Sequence, residues 1–112
     1  INANTYKVTR YYYNSVGLLE KVSEEINEGD LAEETKGKIA AKTLYEYDAN
    51  GNITRVTTPE GYENIVRYDA SDRLVEIVKR DPRDEESERS TKYEYDNAGN
   101  IIKLILLYKA CN

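Results

Sequence analysis

Carboxylates are the one abundant group in this chain with catalytic or ligating capacity. The 112 residues hold 21 Asp and Glu against 16 Lys and Arg, and no His. Without His, a Ser–His–Asp triad, a Cys–His dyad and a His-ligated metal are all excluded. Acid–base work by carboxylates would need two of them converging in a cleft. No spacing points to such a pair. Most fall in the charge-rich stretches 23–42 and 79–90, where solvation is their ordinary role. Asp48-x-Asn50-x-Asn52 has the alternation that opens a calcium loop. Such a loop needs Gly at its sixth position, which is Ile53 here, whereas Gly51 stands fourth. The segment therefore reads as a turn. No catalytic residue, metal ligand or cofactor is assigned. Cys111 cannot form an internal disulfide alone; it reads as a free thiol, with an intermolecular bridge as the alternative. Asn52-Ile53-Thr54 is a glycosylation sequon, read as incidental.

The other distinctive group is tyrosine. There are 11 Tyr and no Phe, Trp or Met. In Tyr45-x-Tyr47 and Tyr93-x-Tyr95 the rings fall two apart, on one side of a strand. Tyr45, Tyr47, Tyr93 and Tyr95 are the candidate ligand-binding residues, because aromatic faces stack on sugar rings. Their other reading is packing between hairpins as cross-strand pairs. A net charge of -5 and a pI near 4.8 argue against nucleic acid, which needs a basic field, and against anionic membranes. No apolar stretch reaches the roughly 20 residues that span a bilayer. The longest, Ile101 to Tyr108, is interrupted by Lys103. No signal peptide is visible, and the sequence opens on Ile1.

The elements that must position these tyrosines recur. Tyr11-Tyr12-Tyr13-Asn14-Ser15-Val16-Gly17, Tyr45-Glu46-Tyr47-Asp48-Ala49-Asn50-Gly51, Val66-Arg67-Tyr68-Asp69-Ala70-Ser71-Asp72 and Tyr93-Glu94-Tyr95-Asp96-Asn97-Ala98-Gly99 line up on Tyr13, Tyr47, Tyr68 and Tyr95. The anchors are separated by 34, 21 and 27 residues, so a unit of 21 with two insertions fits. Each unit predicts a hairpin. Asp at the first turn position and Gly at the fourth suit a type I turn followed by a residue with positive φ. Asp72 stands where Gly belongs, and the turn is expected to survive with some strain. Apolar residues on the return strand fall three apart: Leu19 and Val22, Ile53 and Val56, Leu74 and Ile77, Ile101 and Leu104. A regular strand would put each pair on opposite faces. Either a bulge intervenes or both faces are partly covered. Asp30 to Lys42 is open to two readings, a short helix starting at Asp30 or a charged loop. Asp81 to Glu86 reads as a solvated loop.

The pattern Tyr-x-Tyr-Asp-x-x-Gly-Asn/Arg-Leu/Ile, at this unit length, resembles the YD repeat of the Rhs family. Thr58-Pro59-Glu60-Gly61 is similar to the segment between such repeats. The resemblance covers roughly residues 9 to 108. The second and fourth units match closely. In the others Asn14 replaces the Asp, Val66 the first Tyr and Asp72 the Gly. It implies a long secreted or cell-surface protein, mostly bacterial, with related arrays in animal teneurins. It also implies hairpins in one continuous sheet, which in large members spirals into a shell around a toxic C-terminal domain. Some members are described as carbohydrate-binding.

The expected structure is all-β: tandem hairpins forming one twisted antiparallel sheet with two charged surface insertions. A single repeat segment fills 1–112, with units near 9–22, 43–56, 64–77 and 91–104 and insertions near 23–42 and 79–90. The expected function is non-catalytic, a scaffold or shell segment of a secreted or cell-surface repeat protein. The alternative is a carbohydrate- or cell-surface-binding module using exposed Tyr rows or the inserted loops. Expected partners are neighbouring repeats or a second copy, and possibly glycans, with no nucleic acid and no membrane insertion.

Overall fold

A computed structural model of the chain describes residues 5–28 and 38–108. These form β1 (Thr5–Tyr13), β2 (Leu19–Glu28), β3 (Lys38–Tyr47), β4 (Ile53–Thr57), β5 (Glu63–Tyr68), β6 (Leu74–Asp81), β7 (Asp84–Tyr95) and β8 (Ile101–Tyr108). The protein is all-β, with strand order following the chain from β1 to β8 without a crossover. The chain divides into two compact units, Ile1–Tyr45 and Glu46–Asn112.

The turns share one construction. The N–H of Gly51 donates to the Asp48 carbonyl and the N–H of Asp48 to the Asn52 carbonyl. The same two bonds close Asn14–Leu18, Asp69–Arg73 and Asp96–Asn100. Thr58-Pro59-Glu60-Gly61, which joins β4 to β5, repeats them between Thr58 and Gly61 and between Thr58 and Tyr62. In every case the fourth residue is left-handed, at φ 86 for Gly51, 87 for Gly99 and 60 for Asp72. This is a type I turn followed by a single left-handed residue, the arrangement that reconciles the turn with strand twist.

In three of the hairpins the three-residue apolar spacing is explained by a bulge just after the turn. In the first hairpin Tyr13 opposes Leu19 and Tyr11 opposes Val22, with Glu20 the extra residue. In the third, Tyr68 opposes Leu74 and Val66 opposes Ile77 across an extra Val75. In the last, Tyr95 opposes Ile101 and Tyr93 opposes Leu104 across an extra Ile102. The extra residue flips parity once, so both apolar residues meet two strand residues that already share a face.

In the second unit this segregates the faces. Val66, Ile77, Thr91 and Leu106 form one row across β5 to β8. The opposite face carries ion pairs: Arg80 to Glu63 at 2.7 Å, Arg67 to Glu76 at 3.2 Å, Arg55 to Glu63 at 3.4 Å and Lys103 to Glu94 at 3.8 Å. Among the described residues no hydrophobic side chain is fully buried. In the first unit the buried side chains are polar. Ser23, Glu25 and Asn27 lie on alternate positions of β2, and Arg10 Nε donates to Glu25 at 2.6 Å. Arg10 is half-exposed, so the pair keeps one foot in water.

The charged insertions are drawn out as strand where they are described. Residues 38–42 belong to β3, with Ala41 opposite Glu24 and Lys42 opposite Ser23. Neither the short helix nor the charged loop read for Asp30 to Lys42 holds over 38–42, because ladder bonds to β2 occupy that backbone; 30–37 lie outside the described residues. Asp81 to Glu86 is not a loop either. Pro82 and Arg83 make a tight turn, and Asp84 already starts β7. Pro82 sits where no ladder donor is required, and the Asp81 carboxylate accepts from the Arg83 N–H at 3.0 Å.

A Cβ added at Gly99 would meet nothing within 4 Å, so its replacement tests backbone conformation alone. Gly99→Ala should lower stability by about 1 kcal/mol, the cost of a side chain in the left-handed region, seen as a lower urea midpoint with an unchanged slope.

Candidate interaction surface

In the second unit, tyrosine hydroxyls tie two hairpins to the ones before them. Tyr68 Oη donates to the Ile53 carbonyl at 2.9 Å, and Tyr95 Oη donates to the Leu74 carbonyl. Ile53 and Leu74 hold the same place, the first residue of a return strand. Tyr68 and Tyr95 also hold the same place, the anchor just before the turn. A tyrosine ring lies along the sheet with its apolar body down and its hydroxyl at the far end. It reaches a carbonyl that a Phe could not engage.

Tyr45, Tyr47, Tyr93 and Tyr95 are all half-buried. Each pair shares a face of its own strand. Tyr93 and Tyr95 stand opposite Leu104 and Ile101, and the Arg73 guanidinium lies 5.0 Å from the Tyr95 ring centre. The hydroxyl of Tyr95 is thus committed to backbone and its ring to a cation. The more open rings are others: Tyr11 at 58% exposure, Tyr13 at 60%, Tyr62 and Tyr108. Tyr11, Tyr13 and Tyr108 lie on the outermost strands of the order, which no residue pattern marks as outermost. The terminal strand β8 also exposes Ile101, Leu104 and Leu106, while the equivalent Leu74 and Ile77 are half-buried.

A second line of groups runs through the turns. The Asp48 carboxylate accepts from the N–H of Asn52 and of Asn50, both at 2.9 Å. Asp69 and Asp96 do the same with Arg73 and Ser71, and with Asn100 and Ala98. These backbone donors, the Asn52, Arg73 and Asn100 N–H first, hold the three carboxyls below the usual aspartate value of 3.8. Asn14 makes the same two contacts without a charge. Asp72 spends its side chain differently: it accepts from Asn50 and Asn52 Nδ2 at 3.2 and 3.0 Å. The left-handed residue is thereby joined to the turn headed by Asp48. Among the described residues no three Cys, Asp or Glu gather as a metal site, and the turn reading of Asp48 is the one its bonds support. Among the described residues no helix is long and apolar enough to cross a membrane.

A family model described as RHS Repeat matches residues 28–63, 47–84 and 68–106. Two of these windows open on the anchor residues Tyr47 and Tyr68. The first hairpin lies outside the matches, yet its turn and bulge are built as in the others. No curated protein matches the chain.

Two outcomes follow from the bonds. Tyr95→Phe should cost about 1 kcal/mol, the net worth of one hydrogen bond, while Tyr93→Phe, whose hydroxyl makes no such bond, should be near neutral in the same urea titration. Because the turn carboxyls have lowered folded values, their contribution is present above the ordinary aspartate value and is lost as pH falls through the folded values. The thermal midpoint should therefore drop below about pH 4, and Asp48→Asn with Asp96→Asn should flatten that drop without removing the turns.

Proposed function

The chain belongs to the RHS repeat family, and we propose that it is a non-catalytic scaffold segment of a secreted or cell-surface repeat protein, one stretch of a wall assembled from successive hairpins. The observation that carries this reading is the repeated tyrosine bond. Two successive hairpins each supply the hydroxyl that completes the predecessor, at Tyr68 to Ile53 and at Tyr95 to Leu74. Such a device favours addition of further hairpins and confers no chemistry on any one of them. The exposed Ile101, Leu104 and Leu106 offer a following hairpin the surface that Leu74 and Ile77 offer β7.

Repeat addition tests the proposal. A chain extended by a copy of its last hairpin should gain stability and a larger denaturant slope, with new hydrogen-exchange protection along β8. An extension that leaves both unchanged would sink the reading. A glycan array weighs the carbohydrate-binding alternative. Dose-dependent binding abolished by Tyr45→Ala and Tyr93→Ala, with circular dichroism unchanged, would put that alternative first.

A further inference from the structure

Lys79 on β6 stands directly opposite Arg89 on β7. Among the described registers this is the one place where two cations face each other. Elsewhere the ladder sets a cation against an acid, as at Arg80 and Glu63 or Lys103 and Glu94, or against a neutral residue. Like charges directly opposite destabilise a strand pair, and in a chain of net charge -5 acids were plentiful enough to avoid it.

The two acids that line the recess around this pair are engaged with other partners. Glu63 pairs with Arg80 and Arg55, and strand alternation puts it on the opposite face from Lys79. Asp81 pairs with Arg83 at 2.8 Å. No carboxylate of the described residues lies in ion-pair contact with Lys79 or Arg89. The pair also sits in a recess. Tyr62, Asn64, Ser87, Lys79 and Arg89 border a concavity of about 260 Å³, whose lining also includes Arg80 and the carboxylates of Glu63 and Asp81, each ion-paired with an arginine. Beyond Arg89 a second one of about 220 Å³ is walled by Thr91, Leu106 and Tyr108. The Arg89 guanidinium lies 5.6 Å from the Tyr108 ring centre, which holds the cation in place on the sheet. Asn64, opposite Lys79, adds a neutral amide donor.

We propose that Lys79 and Arg89 form a binding site for a compact oxyanion, the carboxylate, sulfate or phosphate group of a ligand outside the chain. The guanidinium offers a planar pair of donors to two oxygens, and the ammonium offers a point charge to a third. The anion also cancels the repulsion between its two holders. The site stands apart from the scaffold reading: failure of repeat addition leaves it intact, and failure of anion binding leaves the scaffold intact.

The test uses the full chain, with sodium sulfate, sodium phosphate and sodium galacturonate titrated against sodium chloride at matched ionic strength, which removes general screening. Amide shifts in a two-dimensional NMR spectrum should saturate and centre on Asn64, Lys79 and Arg89. The thermal midpoint should rise above the chloride control. Lys79→Gln and Arg89→Gln should each weaken binding about tenfold. Lys79→Gln should also raise the midpoint in low salt, because it removes the repulsion. A response to all three anions identifies the oxyanion charge as what is recognised, and a response to one narrows the ligand to that group. Shifts that are scattered, do not saturate, match those in chloride or survive both substitutions would overturn the proposal.

Discussion

A sheet with no fully buried hydrophobic side chain among its described residues has to stabilise itself across its own surface. That constraint governs the rest of the structure. Burial of apolar area normally dominates folding, and half-buried strands recover only part of it. The remainder comes from contacts between neighbouring strands. This explains the choice of aromatic. Tyr covers apolar surface with its ring and still ends on a polar atom, so it can lie on a wet face and bond to backbone. Phe would cover the same area and leave the Ile53 and Leu74 carbonyls without that donor.

Turn and bulge act together in service of that surface. The type I turn with its left-handed fourth residue reverses the chain. The extra residue that follows resets parity, so Leu74 and Ile77 lie on the face of Tyr68 and Val66. Without the bulge, one of each apolar pair would face the ion-paired side. The two faces then do different work. One carries the aromatic and aliphatic rows and the hydroxyl bonds between hairpins. The other carries Arg and Glu pairs, individually weak at the surface but suited to keeping an open sheet in solution.

The polar row of the first unit and the opposed cations of the second depart from this economy in different ways. Ser23, Glu25 and Asn27 are buried where apolar residues would serve packing better. Ser23 Oγ, Glu25 Oε1 and Asn27 Nδ2 also lack partners among the described residues. Lys79 and Arg89 are exposed, and their cost is electrostatic. An outside anion removes it, so this departure has a chemical reading.

Much of the architecture was legible in the residues themselves. Asp, Asn and Gly at fixed turn positions specify local hydrogen bonds and backbone angles, and these depend on four or five consecutive residues. The four hairpins headed by Asn14, Asp48, Asp69 and Asp96 and the strained place of Asp72 follow from that local chemistry, whereas the fifth turn of the same construction, at Thr58, lacks the Asp or Asn that marks the others. The spacing of Leu74 and Ile77 showed that a bulge or a second covered face was required, but parity alone does not choose between them. Pairing across strands decided it, because a bulge exists only relative to a partner. Register likewise decided which residues face each other. Lys79 and Arg89 are ten positions apart in the chain, and nothing local sets one against the other. The partners of Tyr68 and Tyr95, 15 and 21 residues away, are of the same kind. So is the extension of the charged 79–90 stretch into strand. Its composition favours solvent, and the ladder along β6 supplied the backbone partners that held it as sheet.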